Sequence, residues 1–346
     1  MNEYVIWGKP DFQGKTRKVE IPKPGPKEVL IKVVAAGLNP KDWKFVKAWD
    51  ESRALNAGDD VTGIVDAIGS EVFEYKAGDR VAGFHKMGQP AGTYAEYAIV
   101  PVGTTFPLPA NISFEAGAGL PLSFITAALA LYQGLGLPLP TTPGTKNIPI
   151  LVWGGASAVG AYALQLSKLS QLDPIITVAG SGIDFVKSLD AATHIIDYRK
   201  GNVETGILSA LGGKRLTVAF DAICGHQSYE HISKVLLASN GGGHINIVDP
   251  PEDESWSWPE GVKMSRTFVS SAYGVPHKHI TEEQAVADAE FSSMLYRYLS
   301  HLLAEGTFKP HPVEVLPGGL EGIVEGVKAL HDGKVSAKKL VARSDY

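Results

Sequence analysis

Hydrophobic and polar positions follow two different patterns along the chain, and the change comes near residue 123. Short β-type runs separated by glycine and proline fill the first third: EVLIKVVAA, DDVTGIVDAIG, DRVAGF and TYAEYAIV. Such runs are typical of short strands joined by turns. This part of the chain is therefore predicted to form a small, irregular, mostly β domain.

From residue 124 short apolar runs alternate with helical patterns. The strand-like segments are IPILVW, PIITVA, HIIDY, LTVAFDAI, GGHINIV and RTFVSSA, and the helix-like ones are FITAALALYQGL, AVGAYALQLSKLS, DFVKSLDA and SYEHISKVLL. Apolar strands that alternate with helices indicate a parallel sheet covered on both faces. After Tyr273 a helix is predicted from Glu282 to Glu305, and the last forty residues do not continue the alternation. They are expected to return to the first domain.

Composition narrows the possible functions. The 346 residues are 44% hydrophobic and 20% charged, which is enough for two ordinary cores, and the formal net charge of −5 disfavours binding to nucleic acid or to an anionic membrane. The N-terminus lacks a signal pattern and no uncharged apolar run reaches about 18 residues, so we expect a cytoplasmic protein. Cys224 is the single cysteine, which excludes an internal disulfide and a cysteine-cage zinc.

The glycine-rich turn in ILVWGGASAVGAYALQLSKLS is the strongest local signal for a ligand. A strand, such a turn and a helix form the dinucleotide-binding motif, in which glycines allow a tight bend, close approach to the pyrophosphate and helix packing. Gly155 and Gly160 take the first and third places, and Ser157 replaces the second glycine. The amides of Ala158, Val159 and Gly160 at the helix start suit an anion. The simpler alternative is a plain turn whose small residues serve packing.

The end of the next strand bears on the choice of cofactor. NAD-binding sheets carry an acid there, about twenty residues after the turn, which bonds the adenosine ribose. Here the strand ends in the neutral sequence VAGSG. This favours the 2′-phosphate of NADPH, with Lys187, Tyr198 and Arg199 as predicted donors. Asp184 takes the acid's place if the loop is shorter, and simple solvated charges are the other interpretation of the basic residues.

The chain resembles a known family over essentially its whole length. GLNPKDWK, AGDRVAGF, GTYAEYAIV, GLPLSFITAALAL, LVWGGASAVG and the KSL and DYR pair resemble the zinc-free quinone oxidoreductases and fungal trans-acting enoyl reductases of the medium-chain dehydrogenase/reductase superfamily. The resemblance implies an α/β chain with a GroES-like, mostly β catalytic domain over 1–123 and 274–346. It also implies a Rossmann-type doubly wound parallel sheet over 124–273, with NADPH as cofactor. The predicted cofactor-binding residues are Gly155, Ser157, Ala158, Val159, Gly160, Ser181, Lys187, Tyr198, Ile247 and Val248.

Zinc-dependent members of this superfamily carry a catalytic cysteine near position 39 and a GHE motif near position 58. This chain has Asn39 in the first place and Gly58, Asp59 and Asp60 in the second. Two of the three protein ligands are therefore of the wrong type, and no catalytic zinc is predicted. No partner ligands are recognisable for His85, or for His277 and His279 in the segment PHKHI.

The resemblance gives the stretch GLNPKDWK a place in the cleft between the two domains. Asn39 would contact the nicotinamide ribose or the substrate carbonyl, and Lys44 would donate to the cofactor's ribose or to the acceptor. Asp42 is expected to cap the turn and Trp43 to pack. The alternative interpretation of the whole stretch is a surface loop.

Two further catalytic candidates lie elsewhere in the chain. Thr126, at the start of the linking helix, would bond near the nicotinamide. Tyr94 in GTYAEY is a second candidate for the cleft, and it is equally consistent with an aromatic residue of the sheet.

The predicted function is an NADPH-dependent reductase that adds a hydride β to a carbonyl of a quinone, enone or enoyl thioester. The alternative is a catalytically idle NADPH-binding module or a partner protein of a synthase. We expect a monomer or homodimer. The size of the substrate and the proton donor are left open, and Trp256 and Trp258 either wall a pocket or pack.

Overall fold

The computed structural model describes residues 1–143, 147–225, 227–250 and 256–344. Packing divides the chain into two compact units: the first comprises Met1–Leu122 with Ser270–Tyr346, and the second comprises Ser123–Val269. Within these residues no helix is both long and apolar enough to cross a membrane.

The strands and helices are numbered along the chain. The strands are β1 (Asn2–Trp7), β2 (Gln13–Lys18), β3 (Glu28–Gly37), β4 (Asp60–Ile68), β5 (Arg80–Phe84), β6 (Tyr97–Pro101), β7 (Thr105–Pro107), β8 (Ile150–Trp153), β9 (Ile175–Ala179), β10 (His194–Asp197), β11 (Val218–Asp221), β12 (Gly243–Ile247), β13 (Val262–Arg266), β14 (Val313–Val315) and β15 (Lys339–Arg343). The α-helices are α1 (Pro40–Val46), α2 (Phe114–Ala118), α3 (Pro121–Ala128), α4 (Ala158–Leu169), α5 (Ile183–Ser188), α6 (Val203–Leu211), α7 (Ser228–Asn240), α8 (Glu282–Ala304) and α9 (Ile323–His331).

The first unit is built around a sheet in which β3 is the central strand. β3 pairs antiparallel with β4, β6 and β15, and β15 also pairs with β14. The C-terminal strand thus joins the sheet formed by the first third of the chain. A separate antiparallel hairpin of β1 and β2 lies in the same unit. Apolar residues of β3, β4, β5 and β6 form one core, which includes Val29, Ile31, Val61 and Val81.

The second unit contains a parallel sheet whose strand order is β10-β9-β8-β11-β12-β13. Counted from β8, this is the order 3-2-1-4-5-6 of the Rossmann dinucleotide-binding fold. Every residue of β8 and β9 is buried, which explains why these strands are continuous apolar runs. The strand order reverses between β8 and β11, where dinucleotides bind in this fold. The predicted fold class is confirmed.

Some elements differ from the sequence prediction. The last strand of the parallel sheet is β13, whereas the segment RTFVSSA was predicted, so that prediction was wrong by about four residues. β13 lies at the sheet edge and has two exposed residues, so its sequence VKMSR lacks the apolar run of a buried strand. Helix α6 was not predicted. It has only nine residues and contains Gly206, which weakens its helical pattern. The predicted long helix near Glu282 is confirmed as α8.

Candidate functional site

The turn after β3 folds as the start of helix α1. Asn39 is the N-cap residue, Pro40 takes the first helical position, and the Asp42 side chain accepts the Asn39 backbone N–H at 2.7 Å. Proline is preorganised for that position, and an acid at the third position satisfies a helix-end donor. The predicted capping role of Asp42 is confirmed. The sequence NPKD therefore forms a rigid helix start.

The Asn39 side chain is buried and hydrogen-bonded at both ends. Its Nδ2 donates to Asp60 Oδ2 at 2.9 Å, and its Oδ1 accepts from Lys339 Nζ at 2.8 Å. Lys339 Nζ also donates to Asp60 Oδ2 at 2.7 Å, while the other Asp60 oxygen accepts the Leu122 N–H at 2.7 Å. Asn39, Asp60 and Lys339 are exposed by 5% or less. The sequence analysis missed Lys339, whose one signal is a lysine at the start of the apolar strand β15.

A second, largely buried charge cluster lies on the first turn of α1. Lys41 Nζ is 3.0 Å from Asp42 Oδ1 and forms an ion pair with Asp59, and Tyr94 donates its hydroxyl to Asp42 Oδ2 at 2.5 Å. Burial raises the pKa of Asp59 to about 7, although Lys41 acts in the opposite direction. Burial also raises the pKa of Asp42. For Lys41, burial lowers the pKa, but Asp42 and Asp59 outweigh it, so the net change is upward.

Tyr94 lies in the core of the first unit and is fully buried. Burial and then the neighbouring Asp42 raise the pKa of the Tyr94 phenol well above its usual value, so the hydroxyl stays protonated and donates. Tyr94 therefore supports the first turn of α1 from the core, through its hydrogen bond to Asp42.

Lys44 is exposed, in contrast to Lys41 on the same helix. Its Nζ lies 5.6 Å from the centroid of the Trp43 ring, as does that of Lys47. Trp43 packs against the core of the first unit and meets the His331 ring edge-on at 5.0 Å. The predicted packing role of Trp43 is confirmed. The turn presents Lys44 outward on an aromatic support.

The histidines singled out in the sequence show no metal geometry. His85 is buried, with Nδ1 2.6 Å from the Ile99 carbonyl and Nε2 3.2 Å from the Gln89 carbonyl, and burial lowers its pKa. His277 Nε2 lies 3.3 Å from Ser270 Oγ. Over the described ranges, no three His, Cys, Asp or Glu side chains are grouped to hold a metal ion.

The glycine-rich turn of the second unit follows β8. The positive φ of 87° falls on Gly154, so the tight bend assigned to Gly155 is one residue earlier. A Cβ on Gly155 would lie 2.2 Å from Thr177 Oγ1, and one on Gly160 would lie 2.2 Å from the Gly154 carbonyl oxygen. Both glycines are thus required by close packing of the turn against its neighbours.

Ser157 is the N-cap residue of α4. Its Oγ accepts the Gly160 N–H at 3.0 Å and donates to the Gly154 carbonyl at 2.8 Å. The hydroxyl thus caps the helix, and the Gly160 amide is already bonded within the turn. Ala158 and Val159 provide the first two helical N–H groups, which have no carbonyl one turn earlier in the helix.

Tyr198 covers the end of β9. A Cβ on Gly180 would lie 2.6 Å from the Tyr198 hydroxyl, so this ring lies directly over the glycine, and Tyr198 itself is 52% exposed. Ser181, the next residue of the turn, is also exposed. The structure therefore places the phenol of a half-exposed tyrosine beside the neutral strand end.

The charged residues near this strand end form local ion pairs. Lys187 Nζ lies 3.2 Å from Asp184 Oδ1, and both side chains are largely exposed. Arg199 makes two bonds of 2.8 Å to Asp197 and lowers the pKa of that carboxyl to about 2. Asp184 belongs to the first turn of α5. The Arg199 guanidinium is therefore engaged by Asp197.

The remaining predicted residues are dispersed through the second unit. Thr126 is 6% exposed in α3, Ile247 is buried at the end of β12, and Val248 packs against the same core. Trp256 and Trp258 contact Tyr229 with ring centroids 4.9 and 6.3 Å away, so both pack. Residues 251–255 of the loop that was expected to shape the substrate site lie outside the described residues.

Asp221, at the end of β11, was missed in the sequence. Its Oδ1 accepts the N–H groups of Ile223 at 3.1 Å and Cys224 at 2.9 Å, and Oδ2 accepts the Ser228 hydroxyl. Burial raises the pKa of this carboxyl. Asp221 thereby shapes the loop after β11, beside the point where the strand order reverses. An acid at the end of an apolar strand was the available signal.

Two protein-family models match the chain. The alcohol dehydrogenase GroES-like domain matches residues 25–110, and the zinc-binding dehydrogenase family matches residues 191–341. Among proteins of known activity, the chain is similar to the trans-enoyl reductase fsr4 of Gibberella fujikuroi, with 39% identity over 309 residues that cover 87% of each chain.

Solved structures share the fold. A protein of Rhizobium etli assigned to the zinc-dependent alcohol dehydrogenases superposes with a TM-score of 0.81 at 23% identity, covering 100% of this chain and 98% of the other. The quinone oxidoreductase of Escherichia coli, in complex with NADPH, superposes with a TM-score of 0.72 at 20% identity, covering 99% and 100%. At these identities the likeness concerns the fold alone.

Proposed function

This chain belongs to the medium-chain dehydrogenase/reductase family, and we propose that it is an NADPH-dependent reductase of polarised carbon–carbon double bonds. It is an oxidoreductase of the enoyl reductase and quinone oxidoreductase type. The observation that carries the proposed reaction is the 39% identity to a trans-enoyl reductase over 87% of the chain. The acceptor is a quinone, an enone or an enoyl thioester.

The preference for NADPH is supported by the end of β9. No carboxylate stands at the strand end itself, where an NAD-binding sheet places one for the ribose. Tyr198, which is half-exposed, holds its hydroxyl over Gly180, and the exposed side chain of Lys187 lies on the following helix. A hydroxyl and a cation are suitable donors for a 2′-phosphate. The turn glycines and the Ala158 and Val159 amides would hold the pyrophosphate.

The chain's own residues have the remaining tasks of the reaction. When bound, the cofactor supplies the hydride. Asn39 holds its amide in a fixed orientation, with one N–H beyond the one bonded to Asp60. Lys44 provides an exposed cation for the cofactor's ribose or for the charge that develops on the acceptor oxygen. Thr126 is proposed to bond near the nicotinamide.

The reaction is proposed to proceed without zinc. Asn39 and Asp59 stand where the zinc-dependent relatives carry thiolate and imidazole, and both are already engaged by protein groups. Asp59 is paired with the Lys41 ammonium, whose charge would oppose a divalent cation. The donor set of this turn therefore fits an internal ion pair better than a metal ion.

The proposal is tested by following NADPH oxidation with a quinone, an enal and an enoyl thioester, and by product analysis. We expect reduction of the double bond with at least one acceptor and slower reaction with NADH. Binding of NADPH without turnover on any acceptor would instead indicate an idle binding module.

Cofactor preference has a separate test, because Tyr198→Phe should weaken NADPH binding by about 1 kcal/mol and leave NADH binding unchanged. Tryptophan fluorescence quenching measures both affinities.

A further inference from the structure

Lys339 and Asp60 select one orientation of the Asn39 amide. A lysine ammonium only donates hydrogen bonds and an ionised carboxylate only accepts them. Because Lys339 lies 2.8 Å from one end of the amide and Asp60 2.9 Å from the other, the oxygen must face Lys339 and the nitrogen must face Asp60. A flipped amide would place donor against donor and acceptor against acceptor.

The two selecting residues are themselves held in place. Asp60 is fixed by the Leu122 N–H at 2.7 Å and by Lys339 at 2.7 Å. Strand β15 is held in register because the Leu38 N–H donates to the Leu340 carbonyl at 2.9 Å, next to Lys339. Both ends of the Asn39 amide therefore contact side chains anchored in rigid strands, which is the support that a precise polar site requires.

This arrangement is costly for stability alone. Removing an ammonium and a carboxylate from water carries a desolvation penalty that their attraction often fails to recover, and apolar residues of similar size are frequently as stable. Lys339 and Asp60 are nevertheless buried, at 5% and 0% exposure. The pair gives what apolar residues cannot give, which is a defined direction for the Asn39 amide and its remaining N–H.

We propose that Lys339 is a positioning residue that acts on the reaction through Asn39, by fixing the orientation of its amide against Asp60. The inference rests on the proposed function, in which Asn39 contacts the nicotinamide ribose or the substrate carbonyl. Without the ammonium only Asp60 selects the orientation, so the flipped amide is populated more and presents the wrong group to its partner for part of the time.

The kinetic experiment is a double-mutant cycle of Lys339→Met and Asn39→Ala. We expect Lys339→Met to lower kcat about tenfold to a hundredfold in the natural chain. In the Asn39→Ala background the same change should cost less than about twofold, because the group that it positions is gone. Equal losses in both backgrounds would overturn the proposal, as would an unchanged kcat in the single variant.

The neighbouring residue offers a matched control. Lys338 is 39% exposed at its side chain and pairs with Glu314 at the surface, so Lys338→Met removes the same group one position away. Its kcat should remain that of the natural chain. Because Lys339→Met leaves a buried carboxylate without its cation, the paired variant Lys339→Met with Asp60→Asn is made as well. It should fold with near-natural stability and still show the loss in kcat, and a recovery to natural kcat would contradict the proposal.

A readout independent of turnover separates this inference from the proposed function. The Asn39 side-chain amide, identified in a spectrum of asparagine-labelled protein by its loss in Asn39→Ala, should give one sharp NMR signal pair with slow hydrogen exchange. In Lys339→Met it should broaden or exchange faster, whereas in Lys338→Met it should not change. If the natural chain reduces no acceptor, the proposed function fails, while an unchanged Asn39 signal in Lys339→Met is what refutes the positioning role.

Discussion

Lys41, Asp42 and Asp59 form a buried group of one cation and two acids. When both carboxyls are ionised the group carries one net negative charge in the core, which is unfavourable. Binding one proton neutralises it, and the pKa of Asp59 is raised to about 7 by burial, with Lys41 acting in the opposite direction. Helix α1, which carries Lys44 and is capped by Asn39, is therefore held by a charged group whose net charge changes near neutral pH.

This group makes the stability of the protein depend on pH. The folded pKa of Asp59 lies above the unfolded one, so its contribution to stability is fully present below pH 4 or so and is lost as pH rises through about 7. Asp59→Asn removes the titration while Asp42 still pairs with Lys41. We expect the natural chain to lose about 2 kcal/mol relative to Asp59→Asn between pH 5 and pH 8, measured by urea unfolding.

The control for this titration is Asp184→Asn. It makes the same chemical change at a side chain that is 96% exposed. The difference in free energy of unfolding between this variant and the natural chain should vary with pH much less than the difference for Asp59→Asn, because the Asp184 side chain stays in contact with water. The free energy of unfolding of Asp59→Asn is compared with that of the natural chain at each pH. If this difference is constant, or shifts in favour of the natural chain at high pH, the buried group does not titrate as described.

Lys44 is the member of α1 that we expect to act in the reaction, and Lys47 is its matched control. Both ammonium groups lie 5.6 Å from the Trp43 ring and both side chains are exposed. A well-placed charged donor is worth roughly 2 to 4 kcal/mol in a transition state, so Lys44→Ala should lower kcat/KM about thirtyfold to several hundredfold. Lys47→Ala should have no effect.

Measuring kcat of Lys44→Ala at saturating cofactor distinguishes a catalytic role of Lys44 from a role in cofactor binding. A loss that persists there indicates catalysis, and a loss that disappears indicates anchoring of the cofactor alone. If Lys44→Ala retains full activity on each acceptor that the natural chain reduces, Lys44 is a surface residue and the assignment is wrong.

Helix α4 begins with a serine cap that also supports the predicted phosphate-binding amides. Ser157 Oγ accepts the Gly160 N–H at 3.0 Å, and Ser113 caps helix α2 of the first unit in the same way, with its Oγ accepting the Ala116 N–H at 3.2 Å. The two caps are alike in chemistry but lie in different units. They allow the contribution of a cap to stability to be separated from its contribution to cofactor binding.

We expect Ser157→Ala and Ser113→Ala each to lower the free energy of unfolding by about 1 kcal/mol, since each removes one helix cap. NADPH affinity should fall in Ser157→Ala, because the amides of Ala158 and Val159 lose the bond that orders their turn. It should stay unchanged in Ser113→Ala. Unfolding curves and fluorescence titration give the two quantities. Equal NADPH affinity in the two variants would show that the start of α4 does not bind the cofactor's phosphate groups.

The two units contribute different parts of the proposed enzyme. The parallel sheet of the second unit has the 3-2-1-4-5-6 strand order that binds dinucleotides where the order reverses, beside β8 and β11. The antiparallel sheet of the first unit holds Asn39, Asp60 and Lys339 together through β3, β4 and β15. The chain thus returns to its first sheet to complete the surroundings of Asn39.

For the enzyme as purified, we expect turnover to be insensitive to metal chelators. Asn39 and Asp59 are bonded to Lys339 and Lys41, so a divalent ion would have to displace two ammonium groups. Activity after prolonged chelation, together with elemental analysis, measures this. A full complement of zinc with chelator-sensitive turnover would show that the donor set has been misassigned.

Local patterns in the chain were sufficient to predict the sheet of the second unit, the glycine turn, the capping role of Asp42 and the long helix α8. Each of these depends on neighbours in sequence. Buried strands are continuous apolar runs, a capping box pairs two residues three positions apart, and helical periodicity is strongest in long segments. The same rules failed at β13 because an edge strand is half exposed and loses its apolar pattern.

The surroundings of Asn39 depend on contacts between residues far apart in sequence. Lys339 bonds Asn39 across a separation of 300 residues. Lys41, three residues before the predicted Lys44, differs from it because its ammonium packs against Asp59. A lysine's periodicity and propensity are the same whether its ammonium faces water or a carboxylate. Only the folded arrangement of β3, β4 and β15 places these charges together, because burial and partner choice depend on packing of the entire unit.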